Sequence, residues 1–334
     1  MSYWDGKRVL VTGCTGFIGG WLTKRLVDEG ATVVGLVWDA EDAEPDATFY
    51  SLGLDRRVTC TTGDVRDLLL LENVLSDNCV DTAFHLAAQA IVTKANVSPL
   101  ETFETNASGT WVLLEAIRRV GSLKRIVVAS SDKVYGDQED LPYRENSPLL
   151  AANPYDVSKA CADLIAQSYA ATFHLPIGIV RCGNIYGGGD LNFDRLIPGT
   201  VRAAFNNEAP IIRSDGTYTR DYLYVSDAVD GYVRVAEALD EERFHGEAFN
   251  LGNERPFTVL QVVAEILDLM ACRHLTPIIQ GCAVAEIRHQ YLSATKAREQ
   301  LGWSSVYSLK EGLCETISCY EAHLSGKVHG TSKV

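Results

Sequence analysis

The sequence predicts an α/β fold, in which a doubly wound parallel sheet is joined to a smaller C-terminal α/β domain. In the first half of the chain, short apolar runs alternate with stretches of helical periodicity, and the apolar runs are nearly continuous. Strands have this composition when helices cover both faces of their sheet, because neither face meets water. The second half is less regular, with helical stretches separated by short extended pieces.

Six apolar runs are expected to form the strands of the sheet. They occupy residues 7–12, 32–37, 58–62, 81–86, 124–129 and 177–181. Apolar residues at helical spacing predict helices over residues 17–29, 99–120 and 155–173 in the first half. The same pattern predicts later helices over residues 194–206, 226–239, 258–271, 293–301 and 309–323. Since helices lie between successive strands, the strands are expected to run parallel.

The 334 residues carry a formal net charge of −14. Such a charge disfavours nonspecific binding to nucleic acid or to an anionic membrane surface, so we expect neither as a partner. No apolar run has the length of a membrane span, and the polar first residues lack the apolar segment of a signal peptide. A phosphate-bearing ligand would therefore need a local basic pocket.

Nine cysteines are scattered along the chain without a C-x-x-C pair. Several lie in apolar stretches, namely Cys60, Cys79, Cys161 and Cys314. This pattern favours reduced, buried thiols in a cytoplasmic protein over a disulfide framework. We expect no metal site.

A glycine-rich turn follows the first predicted strand, where V-T-G-C-T-G-F-I-G places G-x-x-G-x-x-G between a strand and an amphipathic helix. Gly13 permits the tight turn, Gly16 lets backbone approach a pyrophosphate at the helix N-terminus, and Gly19 lets the helix pack close to the sheet. A glycine-rich turn without a ligand is the alternative, but the strand–turn–helix context favours a Rossmann dinucleotide site. The cofactor contacts expected in this turn are Gly13, Thr15, Gly16, Phe17, Ile18 and Gly19.

An acidic residue after the second strand commonly holds the adenosine ribose hydroxyls. Asp39 follows that strand, and Glu41, Asp42 and Glu44 come next with no arginine among them. These carboxylates would repel a 2′-phosphate, so the sequence favours NAD over NADP. A solvated acidic loop is the alternative, mainly for the later residues. Further cofactor contacts are expected after the third and fourth strands, at Asp64, Val65, Leu86, Ala87 and Ala88.

Tyr155 and Lys159 lie four residues apart in Y-D-V-S-K, and therefore on one face of a predicted helix. Tyrosine is a poor base at neutral pH, since its ordinary pKa is about 10. A lysine ammonium one turn away, together with a positively charged nicotinamide ring, would stabilise the phenolate and make Tyr155 a usable base. An ordinary surface pair is the alternative. The glycine turn, followed by S-S-D-K at residues 130–133, favours a reaction site.

Together these motifs resemble those of the extended short-chain dehydrogenase/reductases that act on nucleotide sugars. The resemblance covers nearly all of residues 5–324 and rests on T-G-C-T-G-F-I-G, H-L-A-A-Q, N-A-S-G-T, V-Y-G, Y-D-V-S-K, R-C-G-N-I-Y-G, S-D-G-T-Y-T-R-D-Y and K-A-R-E-Q-L-G-W. It implies an active triad of Ser131, Tyr155 and Lys159, with cofactor contact at Asn106 and substrate contact at Gln89. It also implies NAD as cofactor, a nucleotide-diphosphate sugar as substrate, and a homodimer formed through the helices at 99–120 and 155–173.

Within that family, Asp132 and Lys133 resemble the Asp-Lys pair of the CDP-glucose 4,6-dehydratases. The resemblance implies oxidation of an NDP-hexose at C4, loss of water across C5 and C6, and return of hydride to C6. Asp132 would be the acid, and Lys133 would be the base if burial and the charge of Lys159 keep it neutral. The alternative is that Asp132 and Lys133 neutralise one another as a structural pair.

Other activities stay open, because T-R-D-Y-L-Y-V at residues 219–225 is similar to the wider family of epimerases and decarboxylases. A C4-epimerase of NDP-sugars and a decarboxylase of NDP-uronic acids are the enzymatic alternatives. A catalytically silent NAD-sensing or scaffold protein is a third, although a binding role needs no phenolate. The sequence does not determine the nucleotide.

Arginines recur in the second half of the chain despite its acidic total, and guanidinium groups suit phosphate geometry. The resemblance implies that Asn184 and Arg220 hold the diphosphate, and that Leu196 and Arg213 lie near the nucleoside. Further candidate substrate contacts are Arg195, Arg202 and Arg288. The alternative for each arginine is a surface salt bridge.

Two domains are expected from this arrangement. Residues 1–182 and 222–250 would form the NAD-binding domain. Residues 183–221 and 251–324 would form the domain that binds the nucleotide sugar, and residues 325–334 a flexible tail.

Overall fold

The computed structural model describes residues 2–38, 47–282 and 286–326. Within these residues the strands are β1 (Arg8–Thr12), β2 (Thr32–Val37), β3 (Thr59–Thr62), β4 (Thr82–His85), β5 (Arg125–Ala129), β6 (Ile177–Cys182), β7 (Asn184–Tyr186), β8 (Ile211–Ile212), β9 (Thr219–Tyr224), β10 (Ala248–Leu251), β11 (Pro256–Thr258), β12 (Ile278–Ile279) and β13 (His289–Gln290). Residues 327–334 of the expected tail lie outside the described residues.

The α-helices of the described residues are α1 (Phe17–Asp28), α2 (Thr48–Ser51), α3 (Leu68–Asp77), α4 (Val92–Val97), α5 (Pro99–Phe103), α6 (Gly109–Val120), α7 (Pro154–Phe173), α8 (Leu196–Phe205), α9 (Val225–Ala238), α10 (Val259–Leu269), α11 (Thr295–Leu301) and α12 (Leu309–Leu324). Short 3₁₀ turns lie at Leu54–Arg56, Asp132–Tyr135 and Glu242–Phe244, and a π-helical turn spans Glu104–Ser108. None of the helices within the described ranges is long and apolar enough to cross a membrane.

Seven strands form one sheet in the order β10-β6-β5-β4-β1-β2-β3. All neighbouring strands in it run parallel. The winding reverses at β1, which lies between β2 and β4, and such a reversal opens a crevice at the carboxyl ends of the strands. The predicted parallel sheet is confirmed, and the six predicted strands match β1 to β6 closely.

Both faces of this sheet are buried except at the edge strand β3, as the continuous apolar runs predict. Val9 of β1 packs in a core that includes residues of α1 and α9. Leu10, the next residue, packs in a second core that includes residues of α3 and α6. Each such side chain contributes roughly 1.5–3 kcal/mol when fully buried, so the two cores hold the sheet between two helical layers.

The seventh strand, β10, was not predicted from the sequence. It reads A-F-N-L, and the polar Asn250 interrupts its apolar pattern. In the structure Asn250 is fully buried, accepts a hydrogen bond of 2.7 Å from the Tyr135 hydroxyl and donates one of 3.0 Å to the carbonyl of Tyr143. Tertiary partners therefore make a polar residue acceptable in a buried strand.

The helix predicted over residues 99–120 is divided into three parts. α5 and α6 are separated by the π-helical turn Glu104–Ser108. A π-helical turn adds a residue to the helical repeat and changes the direction of the side chains that follow, and such turns are frequent at functional sites. Here the turn carries Asn106, which is buried against the base of the crevice.

The second half of the chain builds two small sheets. β9 lies between β11 and β13 and also pairs with β7, while β8 pairs with β12. Their core is formed by residues of β7, α8, α10 and α12, among them Tyr186, Val201, Ile266 and Leu313. α11 instead packs against β10 and α9, on the large sheet. The domain boundaries expected from the sequence stay a prediction.

The expectation of buried thiols was wrong for the four cysteines on which it rested. Cys60, Cys79 and Cys314 are exposed and Cys161 is half-buried. Cys60 illustrates the reason, because it lies on β3, an edge strand of the sheet with one side unpaired. All nine cysteines lie within the described residues and are reduced there, and the buried ones are Cys14 and Cys182.

Candidate active site

A cleft of about 1220 Å³ opens at the carboxyl ends of the parallel strands. One wall is the glycine turn after β1, and the other is formed by β7, the start of α8 and β9. It brings together these residues predicted from the sequence: Gly13, Thr15, Gly16, Phe17, Ile18, Gly19, Val65, Leu86, Ala87, Ala88, Gln89, Ser131, Asp132, Lys133, Tyr155, Lys159, Asn184, Arg195, Leu196, Arg213 and Arg220.

The glycine turn has the close contacts that a dinucleotide loop requires. Gly13 has a φ of +74°, and a Cβ atom there would lie 2.7 Å from the backbone nitrogen of Ala87. A Cβ atom at Gly19 would collide with the carbonyl oxygen of Gly13. Gly16 caps α1 without a side chain, so the first backbone N–H groups of the helix are open to a phosphate. These residues fit a bound dinucleotide.

Beyond the glycine turn, the cleft is bounded by Trp38 and Arg66. The Arg66 guanidinium lies 5.5 Å from the Trp38 ring centroid and forms ion pairs of 2.6 Å with Asp64 and 3.0 Å with Glu104. Asp64 therefore faces Arg66 and does not line the cleft. The loop after β2 contains no arginine, but the tertiary fold brings Arg66 to this region. The carboxylates of Asp64 and Glu104 neutralise its charge. Asp39, with the other acidic residues of that loop, lies outside the described residues.

Lys159 lies one turn after Tyr155 on α7, and its amine is anchored on the sheet. Its Nζ atom donates a hydrogen bond of 2.8 Å to the carbonyl of Ala129 at the end of β5. Burial lowers the pKa of Lys159 to about 8, while the charge of Asp163 opposes that shift. The amine therefore lies at the cleft beside the carboxyl end of β5.

Burial raises the pKa of Tyr155 to about 12. The charge of Arg195 and a hydrogen bond with Ser131 lower it, whereas the charges of Asp132 and Asp156 raise it. Positive charge at the cleft therefore lowers the pKa of Tyr155 and favours the phenolate. Among the described residues Arg195 supplies the largest such effect, and the sequence did not predict this role for it.

The two serines at the end of β5 have different functions. Ser130 donates a hydrogen bond of 2.6 Å to Asp163 beneath the cleft. Ser131 faces the cleft, donates to Asp132 Oδ1 at 3.1 Å and accepts from the backbone nitrogen of Lys133 at 3.3 Å. Ser131 thus caps the 3₁₀ turn that presents Asp132 and Lys133, and it also reaches Tyr155.

Asp132 is a buried carboxyl, only 3% exposed, whose Oδ2 atom has no hydrogen-bond partner. Burial raises its pKa, against the opposing effects of the Lys133 charge, the Ser131 hydrogen bond and the Arg220 charge. A raised pKa favours the protonated form over the carboxylate, and a protonated carboxyl can donate a proton.

Lys133 is held by a residue that is distant in the sequence. Its Nζ atom donates a hydrogen bond of 3.0 Å to Gln290 Oε1. Its charge acts on the carboxyls of Asp132 and Asp156. The assignment of Lys133 as base and Asp132 as acid stays a prediction.

Arg181, the first arginine of the recurring series, is used to build the fold. Its guanidinium forms two hydrogen bonds with Asp163, at 2.8 and 2.9 Å, and donates to the Tyr135 hydroxyl at 2.9 Å. Both charged groups are fully buried. Removing either partner of such a pair leaves an uncompensated charge and costs about 3–5 kcal/mol. Arg181 therefore supports the floor of the cleft and does not face a ligand.

Three arginines reach the cleft from the smaller domain. Arg220 is nearly buried and donates to the carbonyls of Thr219 at 2.9 Å and Arg288 at 3.2 Å. Arg195 pairs with Asp190 at 2.9 Å, and Arg213 donates to the carbonyl of Asp194 at 3.2 Å. Arg220 also forms an ion pair of 3.6 Å with Glu286, so each of the three cations is held in place by a protein partner at the cleft.

Two predicted substrate contacts are not brought to the cleft. Arg202 lies two turns along α8 from Arg195, about 10 Å away along the axis, and stacks on Phe193 with 4.5 Å between the guanidinium and the ring centroid. Arg288 is exposed and forms an ion pair of 2.9 Å with Asp215. Both have the contacts of surface arginines.

Gln89 lines the cleft, and Asn106 lies beneath it and contacts the Gln89 backbone. Asn106 accepts a hydrogen bond of 2.7 Å from the Gln89 backbone and donates one of 2.8 Å to the Ser158 hydroxyl, which donates to the Tyr155 carbonyl at 2.7 Å. The Gln89 side chain bonds to the backbone of Ile91. Asn106 does not line the cleft, so its predicted cofactor contact is replaced by a contact with the first turn of α7.

The chain was compared with known protein families and proteins. The model of the GDP-mannose 4,6 dehydratase family matches residues 10–316. A CDP-glucose 4,6-dehydratase of Salmonella typhimurium is 35% identical, over 98% of this chain and 94% of that protein. UDP-glucuronic acid decarboxylase 1 of Arabidopsis thaliana is 30% identical, over 97% of this chain and 72% of that protein.

Solved structures match the fold over almost the whole chain. A dTDP-glucose 4,6-dehydratase of Bacillus anthracis in complex with NAD has a TM-score of 0.84 and 26% identity, covering 96% of this chain and 98% of its own. A UDP-glucose 4-epimerase of Thermotoga maritima with UDP-glucose has a TM-score of 0.86 and 26% identity, covering 95% and 99%.

Proposed function

We propose, from the premise that this chain belongs to the GDP-mannose 4,6 dehydratase family, that it is an NAD-dependent NDP-hexose 4,6-dehydratase. Its product would be the NDP-4-keto-6-deoxyhexose. The observation that carries the proposal is Asp132, a buried carboxyl with a raised pKa and an unpartnered oxygen, beside Ser131 at the end of β5. An enzyme that eliminates water needs a proton donor for the departing hydroxyl, whereas a C4-epimerase does not.

The cofactor would be held by the glycine turn and by Lys159, and when bound it accepts hydride from C4 of the sugar and returns it to C6. Tyr155 would take the proton from the 4-hydroxyl, with Ser131 hydrogen-bonded to the phenol. The resulting 4-ketone acidifies the proton on C5. Lys133 would remove that proton, and Asp132 would protonate the 6-hydroxyl as it leaves as water. The unsaturated ketone that remains would take hydride at C6 and a proton derived from solvent at C5.

The substrate diphosphate would lie between Asn184 and Arg220, with the nucleoside toward Leu196 and Arg213. Support comes from the position of these residues on one wall of the cleft and from the match between guanidinium groups and phosphate geometry. CDP is the nucleotide we favour, because the CDP-glucose 4,6-dehydratase relative is 35% identical over nearly the whole chain.

A decarboxylase of NDP-uronic acids is the second candidate, since the similar plant protein carries that name. Decarboxylation also proceeds through a 4-ketone, but it needs no acid for a departing 6-hydroxyl. An NDP-sugar C4-epimerase would use Tyr155 in the same way. Neither reaction gives a role to Asp132 as a proton donor.

The product formed in D₂O distinguishes these reactions. The protein would be incubated with CDP-, UDP- and dTDP-glucose, and the products analysed by mass spectrometry. A dehydratase loses water and gains one solvent deuterium at C5, while the hydrogen added to C6 comes from C4 of the substrate. A sugar of unchanged mass with inverted C4, for every nucleotide that reduces the cofactor, would refute the proposal.

We further infer a homodimer through α5, α6 and α7. Large apolar side chains are exposed on these helices, including Leu100, Trp111 and Leu164. A second copy would cover them, and light scattering of a Leu164→Glu variant would then give half the mass of the unchanged protein. The cytoplasmic location expected from the sequence stays a prediction.

A further inference from the structure

Gln290 lies behind Lys133, on β13, a strand to which the proposed chemistry assigns no role. Its side chain is fully buried, and its Oε1 atom accepts the hydrogen bond of 3.0 Å from Lys133 Nζ. An amine donates hydrogen bonds, so the amide oxygen is the atom that must face it. The two residues are 157 positions apart in the chain, which makes this contact a product of the tertiary fold.

The backbone around Gln290 is held by two neighbouring segments. β13 pairs in parallel with β9, in a register that places Gln290 opposite Arg220. Directly after the strand, the Tyr143 backbone donates to Tyr291 at 3.0 Å and accepts from Ser293 at 2.9 Å. A side chain on backbone that is paired with one strand and anchored again at the next residue has little freedom, so Gln290 can hold a partner in one orientation.

The presence of an amide side chain at position 290 does not stabilise the fold in an evident way. Its Nε2 atom is buried without a hydrogen-bond partner, and so is Oδ2 of Asp132, the residue before Lys133. A buried polar group without a partner costs about 1–3 kcal/mol, and an apolar side chain of similar size would avoid that cost. Gln290 does not line the cleft, so any effect on a substrate must pass through Lys133.

We propose that Gln290 is a positioning residue that orients the amine of Lys133 for removal of the C5 proton. This inference rests on the proposed dehydratase function. A neutral amide suits the role, because it accepts a hydrogen bond from the amine in either protonation state and adds no negative charge that would retain a proton. The charged groups around the amine are Asp132 on its own turn and Asp156 on α7, with Arg220 acting on Asp132 from β9.

The test separates oxidation at C4 from proton removal at C5. In single turnovers with the NDP-hexose that reduces the cofactor, NADH absorbance reports the first step, and deuterium entering C5 from D₂O reports the second. Gln290→Met keeps the length of the side chain and removes the acceptor. We expect NADH formation at nearly the rate of the unchanged protein and exchange at C5 slowed by about 10-fold or more, the usual result of a misplaced catalytic group.

A second variant gives a signature that a merely structural role would not produce. Gln290→Glu keeps the size and the acceptor but adds a negative charge beside the amine. Exchange at C5 should then be lost near neutral pH and return as the pH rises, while the pH profile of NADH formation does not move. The control is His289→Ala, an exposed neighbour on β13 that contacts Thr219 at 3.0 Å, which should leave both steps unchanged.

Exchange at C5 in Gln290→Met at the rate of the unchanged protein would overturn the proposal. So would a parallel loss of both steps in the two variants, which would make Gln290 a structural residue only. If the methionine variant does not fold, the pH profile of Gln290→Glu decides. Absence of C5 exchange in the unchanged protein would instead refute the proposed function, so the two failures are distinguishable.

Discussion

The Nζ atom of Lys159 donates a 2.8 Å hydrogen bond to the carbonyl of Ala129, the last residue of β5. This bond joins α7 to the carboxyl end of the sheet and fixes the helix turn that carries Tyr155. Burial of both side chains shifts their pKa values in opposite directions, to about 8 for Lys159 and about 12 for Tyr155. Activation of the phenol is therefore a property of its surroundings.

Tyr155→Phe should leave the fold intact and abolish hydride transfer, because loss of a general base costs about 10²–10⁴-fold or more. NADH absorbance in a single turnover with an NDP-hexose measures the effect. Tyr169→Phe, on the same helix but beside Glu115 on the outer surface, is the matched control and should react normally. Reduction of the cofactor at an unchanged rate in Tyr155→Phe would show that the base is another residue.

Arg195→Ala should move the pH profile of C4 oxidation to higher pH. The charge of Arg195 lowers the pKa of Tyr155, so its removal raises that pKa, and a base with a higher pKa loses its proton only at higher pH. Arg202→Ala removes an arginine from the same helix outside the cleft and should leave the profile in place. A profile that stays unchanged in Arg195→Ala would contradict the electrostatic role.

Asp132→Asn should form NADH and the 4-keto intermediate but stall before water is lost, because an amide cannot protonate the leaving hydroxyl. Accumulated keto sugar in a quenched reaction, followed by mass spectrometry, measures the stall. Asp137→Asn changes an exposed carboxyl just after the same turn and serves as the control. If Asp132→Asn forms product at the normal rate, then Asp132 is not the acid, and the alternative that Asp132 and Lys133 only neutralise one another would hold.

Arg220→Ala should weaken binding of NDP-sugar and free NDP without changing NAD affinity. A charged hydrogen bond to phosphate contributes about 1.5–3 kcal/mol, which corresponds to roughly 10- to 150-fold in affinity. Calorimetry with CDP, UDP and dTDP also ranks the nucleotides. Arg288→Ala removes an exposed arginine that is paired with Asp215 and should bind each ligand normally. Equal affinities in the two variants would remove Arg220 from the substrate site.

Asp221→Asn should become more stable relative to the unchanged protein as the pH rises. Burial raises the pKa of Asp221 from its ordinary 3.8 to about 7, partly offset by hydrogen bonds from backbone nitrogens, the shortest being 2.8 Å from Asn253. Its contribution to stability is therefore fully present below pH 3.8 and is lost as the pH rises through about 7.

The measurement is Tm of the two proteins between pH 4 and pH 8. The Tm of Asp221→Asn minus the Tm of the unchanged protein should increase by a few degrees from pH 4 to pH 8. Asp140→Asn, an exposed carboxyl, should give a constant difference. A difference for Asp221→Asn that is constant or moves the other way would mean that the carboxylate is stabilised in the fold.

Local pattern predicted the parts of the molecule that depend on local chemistry. The strands β1 to β6, the glycine turn and the placement of Tyr155 and Lys159 one turn apart on α7 follow from hydrophobic periodicity and from the spacing of residues on one helix. The Asp132–Lys133 turn could also be placed, because it follows directly on a buried strand. Such features are set within a few residues of the chain.

Tertiary structure alone decided which groups share an environment. Arg181 and Arg220 look alike in the sequence, yet Arg181 is paired with Asp163 beneath the sheet whereas Arg220 reaches the cleft. Lys133 contacts Gln290, which only the pairing of β13 with β9 brings near it. Periodicity specifies which face of an element is apolar, but the partner of a buried polar group is fixed by long-range packing. Desolvation and nearby charge, which set the pKa values of Asp132 and Tyr155, arise only after that packing is complete.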